Sequence, residues 1–204
     1  MKALIIVDVQ NDFCPGGALE VPNGDQVVPP INALMQQFDC VVQTQDWHPE
    51  DHHSFASSHA DKKAFETTEM DYGEQVLWPD HCVQGTEGAA FHPDLETKPV
   101  QMIVRKGYRK AIDSYSAFFE NDHETVTGLH GYLQARGVDE VYVTGLATDF
   151  CVKWTALDAA KLGYKVKLVK DAVRGIDMDG SVDVALDEMQ EAGVEFLESG
   201  DLKG

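Results

Sequence analysis

Three side chains of this 204-residue sequence stand where short apolar runs stop. Asp8 follows Ala3-Leu4-Ile5-Ile6-Val7, and Lys106 follows Gln101-Met102-Ile103-Val104-Arg105. Cys151 lies beyond Val141-Tyr142-Val143-Thr144, across the loop Gly145-Leu146-Ala147-Thr148-Asp149-Phe150. A thiol, a carboxylate and an ammonium are the parts of nucleophilic catalysis. The carboxylate takes the thiol proton and later hands it to a leaving amine, while the lysine keeps the carboxylate charged and oriented. Cys151 is expected in the first turn of a helix over 149–162, where unpaired N–H groups and the helix dipole favour a thiolate. Backbone amides of the same loop are available to an oxyanion. Singly, these residues have ordinary uses as a small buried hydrophobe, a turn cap and a solvated cation. Their common placement after strands is what points to chemistry.

A second constellation is Asp46-Trp47-His48-Pro49-Glu50-Asp51-His52-His53-Ser54-Phe55. An Asp-x-His pair in extended backbone presents both ligand atoms to one ion, and a third ligand from a distant loop leaves positions open for water. His81, in Trp78-Pro79-Asp80-His81-Cys82, is the natural third ligand. Mixed N/O ligation suits Zn²⁺, Fe²⁺ or Mn²⁺, and the spacing does not choose among them. A polar turn-rich loop with no metal has a similar composition. His52, His53 and His59 are weaker ligand candidates. Phe13, Trp78 and Tyr115 follow the same elements and offer flat walls for a ring-shaped substrate, or simple packing.

These side chains need strands to hold them. β-type runs recur over 3–7, 40–43, 101–104, 141–144, 165–169 and 194–197, and helical patterns over 25–38, 127–136, 149–162 and 181–192. Strands alternating with single helices join in parallel only through crossovers, so the class is α/β: three layers, α/β/α, around a six-stranded, mostly parallel sheet. In such sheets ligands bind beyond the carboxyl ends of the strands. No repeat or linker divides the chain, so one domain over 1–204 is expected, with a loop insertion at about 46–99.

Sixteen Lys and Arg against 35 Asp and Glu give a formal charge of −19, which repels nucleic acid and anionic membrane surfaces. The first apolar run ends at Asp8, too short for a signal-peptide core or a membrane span, so a soluble cytoplasmic protein is expected. Four cysteines without a CxxC pair indicate neither a disulfide framework nor a zinc ribbon. Positive charge collects at Lys98, Arg105, Lys106, Arg109 and Lys110, around the candidate lysine.

Several segments, in order, resemble the nicotinamidases of the isochorismatase-like (Rossmann-like) cysteine hydrolase family. They are Val7-Asp8-Val9-Gln10-Asn11-Asp12-Phe13-Cys14-Pro15-Gly16-Gly17, the 46–55 segment, Trp78-Pro79-Asp80-His81-Cys82-Val83-Gln84-Gly85-Thr86, Arg105-Lys106-Gly107, Asp113-Ser114-Tyr115-Ser116 and Gly145-Leu146-Ala147-Thr148-Asp149-Phe150-Cys151-Val152. The resemblance implies hydrolysis of nicotinamide, and of pyrazinamide, with Cys151 as nucleophile, Asp8 as proton shuttle and Lys106 as its partner. It implies one divalent metal, zinc favoured, on Asp46, His48 and His81, with His52 as an additional ligand candidate. It further implies a cis peptide between Leu146 and Ala147 that aims the Ala147 and Cys151 amides at an oxyanion, and a pyridine ring held by Phe13 and Trp78. His52 occupies the family's usual histidine position, whereas His53 replaces what is often a small residue. Phe150 stands at a site that varies among relatives. Two other functions compete with this one: hydrolysis of a carbamoyl compound or vinyl ether on the same fold, and a non-catalytic ligand or metal sensor. The oligomeric state is left open.

Overall fold

The computed structural model describes residues 1–202. In chain order its strands are β1 (Lys2–Val7), β2 (Cys40–Asp46), β3 (Thr67–Met70), β4 (Gly73–Val76), β5 (Met102–Lys106), β6 (Glu140–Leu146), β7 (Lys165–Arg174) and β8 (Glu195–Leu197). Its α-helices are α1 (Val28–Met35), α2 (Leu129–Ala135), α3 (Lys153–Lys161) and α4 (Ser181–Glu191). Six strands form one sheet in the order β5-β2-β1-β6-β7-β8, all paired in parallel, and β3 and β4 form a separate antiparallel hairpin. The expected six-stranded α/β/α architecture is therefore present.

The apolar runs are continuous because both faces of the sheet are covered. Ala3, Ile5 and Val7 of β1 pack with Leu129 and Leu133 of α2, Ala156 and Ala159 of α3, and Ala185 and Met189 of α4. Leu4 and Ile6 face the other way, onto Val28, Ile31, Leu34 and Met35 of α1. Burying each such side chain contributes roughly 1.5–3 kcal/mol, so the central strand is the rigid member of the fold.

Some elements differ from the sequence expectation, and each difference has a local cause. The helix expected over 25–38 is a 3₁₀ turn, Gly24–Val27, followed by α1, because Pro29 and Pro30 are tolerated only in a first helical turn. The helix expected over 149–162 opens with a π-helical turn, Thr148–Val152, before α3 begins. β2 and β5 run on to Asp46 and Lys106, so both of these residues are the last of their strands. Within the 46–99 segment the β3–β4 hairpin went unpredicted. Its sequence, Thr67-Thr68-Glu69-Met70 and Gly73-Glu74-Gln75-Val76, has no apolar alternation, and Gln75 is its one fully buried side chain.

The chain runs from β1 outward through β2 to β5, then returns to β6 and runs the other way, placing the topological switch between β1 and β6. Register aligns Val7 with Gly145 and Asp46 with Lys106. Side chains at the carboxyl ends of four neighbouring strands therefore meet at one edge. The close approach of β1 and β6 requires a glycine there: a Cβ on Gly145 would lie 2.1 Å from the Val7 carbonyl oxygen. Among the described residues, no helix is long and apolar enough to cross a membrane.

Candidate active site

Asp8, Lys106 and Cys151 meet at this edge, all buried. Asp8 leaves β1 with a positive φ of 48°, a conformation that is uncommon outside glycine. Thr44 on β2 holds it there twice: the Asp8 N–H donates to Thr44 Oγ1 at 3.1 Å, and the Thr44 hydroxyl donates to Asp8 Oδ1 at 2.6 Å. Lys106 Nζ donates to Asp46 Oδ1 (2.5 Å), the Ser114 carbonyl (2.8 Å) and Cys151 Sγ (3.4 Å). It also forms an ion pair with Asp8 Oδ2 at 2.7 Å, outside hydrogen-bond alignment. That oxygen accepts no hydrogen bond, and one Asp8 carboxylate oxygen lies within 4.8 Å of the thiol sulfur.

Burial sets the protonation states. Burial raises Asp8, Lys106 holds it down and Asp46 pushes it up, leaving its pKa raised to about 6. Burial opposes the charge on Lys106, but Asp46 and Asp8 keep it well above the ordinary lysine range. Burial also pushes the Cys151 thiol well above its ordinary range, against Lys106, which pulls it down, and with Asp8, which raises it. The thiolate-favouring helix turn that was expected is therefore opposed here, and the thiol proton is left for Asp8 to take. Two carboxylates and desolvation outweigh one lysine, and the turn holding Cys151 is π-helical rather than the first turn of an α-helix. At neutral pH the group is a carboxylate facing a thiol, with an ammonium between two acids.

Asp46, His48 and His81 offer ligand atoms within 4.8 Å of one another. The tautomers are set by backbone carbonyls: His48 Nδ1–H donates to Gly107 O and His81 Nδ1–H to Pro79 O, each at 2.8 Å. Both Nε2 lone pairs are thereby turned toward Asp46 Oδ2, at 3.5 Å for His48 and 3.8 Å for His81. His48 Nε2 is buried without a hydrogen-bond partner, which is costly unless an electron-pair acceptor sits there. Gly107, with φ of 64°, is required because a Cβ would meet His48 Cε1 at 2.4 Å. The donor set fits a divalent ion.

His52 packs against His48, with ring centroids 4.5 Å apart, and groups with His48 and Asp113 rather than with Asp46 and His81. Its Nδ1 accepts from the Ser54 N–H (3.1 Å) and hydroxyl (2.7 Å), and its Nε2–H donates to the Arg109 carbonyl (2.9 Å). Both ring nitrogens are spent on protein, so this geometry leaves His52 no lone pair for an ion. His53 is only partly buried, and the His59 ring bonds the His53 carbonyl.

Beside the thiol lies a narrow pocket lined by Phe13, Trp78, Tyr115 and Phe150 and reaching Asp46, His81, Ala147 and Cys151. Trp78 and Phe150 meet edge to face with centroids 4.8 Å apart. The Trp78 indole N–H donates to the Tyr115 hydroxyl at 3.2 Å. The Leu146–Ala147 peptide is cis.

Sequence reasoning missed the residues that position this set. Gln10 accepts the Asp46 N–H and donates to the Asp46 carbonyl. Asp12 accepts the Cys82 N–H at 2.7 Å, joining the Phe13 segment to the His81 segment. Asp149 accepts from the Ile176 and Asp177 amides and the Ser181 hydroxyl, which seats Ile176 at the pocket. Each is a polar residue within a matched motif, but nothing in its spacing names its partner.

A buried thiol, carboxylate and lysine thus meet at the switch point of a doubly wound α/β/α sheet, where ligands bind in this class of hydrolase fold. The chain belongs to the isochorismatase family, whose domain model matches residues 2–201. It is 55% identical, over 97% of its length and 92% of the relative's, to a nicotinamidase of Acinetobacter baylyi. Among solved structures it is similar to a nicotinamidase/pyrazinamidase of Acinetobacter baumanii (57% identity, TM-score 0.97, covering 99% of this chain and 98% of that one). PnC1 of L. infantum in complex with nicotinate matches at 41% identity and TM-score 0.88, covering 100% and 95%. A pyrazinamidase of Pyrococcus horikoshii in complex with zinc matches at 38% identity and TM-score 0.79, covering 97% and 98%.

Proposed function

We propose that this chain, acting as one domain, hydrolyses nicotinamide to nicotinate and ammonia through a thioester on Cys151, in NAD salvage, and deamidates pyrazinamide in the same pocket. The observation that carries this reading is that Cys151, backed by the fully buried Asp8 and Lys106, lines an aromatic pocket that also opens onto Asp46 and His81. Asp8 Oδ2 takes the thiol proton as sulfur forms a bond to the amide carbon, and the carbonyl electron pair moves to oxygen. The Ala147 and Cys151 amides receive that oxyanion. When the carbonyl re-forms, the C–N bond breaks and Asp8 returns the proton to nitrogen, so ammonia departs. Asp8 then deprotonates water, which attacks the thioester, and the proton passes to the departing sulfur. Lys106 keeps Asp8 charged enough to act as a base at neutral pH while burial keeps it basic enough to be useful.

Phe13 and Trp78 hold the ring, with Tyr115 and Phe150 closing its sides. Asp46, His48 and His81 would hold one divalent ion, zinc by our assignment, which supplies an electron-pair acceptor for a heteroaromatic nitrogen. Four free thiols suit a reducing compartment, and we place the reaction in the cytoplasm. The test is ammonia release from nicotinamide, pyrazinamide and N-carbamoyl amino acids, before and after chelation and metal add-back. Chelator-sensitive release from the two aromatic amides is expected. Turnover confined to carbamoyl compounds would overturn the assignment, as would ligand-stabilised melting without ammonia from metal-replete protein.

A further inference from the structure

The β3–β4 hairpin has no counterpart in the chemistry described so far, yet it sends one fully buried polar side chain, Gln75, toward the pocket wall. Every hydrogen-bonding position of that amide is used. Its two Nε2 hydrogens are shared among three acceptors in reach, the Val76 carbonyl (2.7 Å), the Tyr115 hydroxyl (2.8 Å) and Asp113 Oδ2 (3.0 Å). Its Oε1 accepts from Asn121 Nδ2 (3.1 Å) and the Tyr72 hydroxyl (3.2 Å). The orientation of the amide is unambiguous, since a carboxylate and a carbonyl face its nitrogen. Asn121 is oriented in turn, because its Oδ1 accepts the Tyr115 N–H at 2.9 Å.

Tyr115 is thus clamped at both ends. Asn121 holds its backbone and Gln75 its hydroxyl, and Gln75 holds Asn121. The same hydroxyl accepts the Trp78 indole N–H at 3.2 Å. Two walls of the pocket, Trp78 and Tyr115, therefore share one oxygen whose position depends on a side chain that does not line the pocket itself. We propose that Gln75 is a positioning residue for substrate: through the Tyr115 hydroxyl it fixes the angle between the Trp78 and Tyr115 walls, and the hairpin exists to deliver it. This role rests on the proposed nicotinamide hydrolysis for its kinetic consequence, but its structural consequence can be read without substrate.

Cys151 and Asp8 make no hydrogen bond to Gln75, so removing its amide should act on binding rather than on the chemical step. Gln75→Leu is expected to raise KM for nicotinamide about tenfold while changing kcat less than about threefold. Adding Tyr115→Phe should raise KM no further than the larger single substitution, because both remove the same link. Asn121→Ala and Tyr72→Phe, which loosen Gln75 from its far side, should raise KM by smaller factors and serve if Gln75→Leu does not fold. Independently of turnover, the indole N–H resonance of Trp78, identified by its loss in Trp78→Phe, should move in Gln75→Leu. An unmoved resonance, or single-variant KM increases that multiply in the double variant, would overturn the proposal. Absence of nicotinamide turnover in the unsubstituted chain, with the resonance still moving, would overturn the substrate assignment and leave the clamp standing.

Discussion

The strand-end group, which reaches the pocket through Cys151, and the 46–99 segment, which supplies Asp46, Trp78 and His81 to it, are held in place by different means. Asp8, Lys106 and Cys151 are set by sheet register: Val7 lies opposite Gly145, Asp46 opposite Lys106, and apolar layers cover both faces of the strands. His48, His81, Trp78 and the hairpin are set by single side-chain and backbone bonds, such as His48 to Gly107, Asp12 to Cys82 and Gln75 to Tyr115. Proton transfer and covalent attack tolerate little misplacement, and they stand on the most rigid elements. Ring and metal recognition stands on loops whose shape is a network of bonds. Breaking the first region should therefore cost kcat, and breaking the second should cost binding.

The largest effect is expected for Cys151→Ala, which should lower kcat at least about ten-thousandfold while leaving bound metal unchanged by elemental analysis. Residual turnover near that of the unsubstituted enzyme would erase the distinction between the regions. Next, Asp8→Asn should lower kcat/KM about a thousandfold. In the unsubstituted enzyme the working base is the Asp8 carboxylate, so kcat/KM should fall as pH drops through about 6, and an acid limb centred near the ordinary carboxylate range would contradict the raised value. His81→Ala should strip metal and raise KM roughly ten- to a hundredfold, with a smaller change in kcat after metal add-back. His52→Asn sharpens the comparison within the loop: metal stoichiometry should hold, while stability falls by about 1–3 kcal/mol on thermal melting from the lost Ser54 and Arg109 bonds. Loss of metal in that variant would return His52 to the ligand set. The smallest effect concerns the −19 charge: a neutral amide needs no steering, so kcat/KM should change less than about twofold as salt is raised across the physiological range.

Reading the sequence found the class of fold, the six sheet strands and the strand-end residues, because buried parallel strands are written as contiguous apolar runs and the residue after each run is visible. It stopped β2 at Gln43, three residues short of its observed end at Asp46, because Gln43-Thr44-Gln45-Asp46 is polar although entirely buried. The Asp-x-His ligand pair is therefore half strand end and half loop. It missed β3 and β4 for the complementary reason: this hairpin buries a glutamine, not an apolar stripe.

By itself the sequence determined the six sheet strands, the main helices and which reactive groups the chain carries, since hydrophobic periodicity and residue type are local properties. Only the tertiary structure decided the charge states and partners of those groups. The rise of Asp8 to about 6 and of the Cys151 thiol above its ordinary range comes from burial and from Asp46, against the opposing pull of Lys106, and both of these partners lie far away along the chain. The separation of His81 from His52 comes from which ring nitrogens the backbone had already engaged. The physical reason is common to both: desolvation and hydrogen-bond saturation depend on what surrounds an atom in three dimensions, and no pattern along the chain records it.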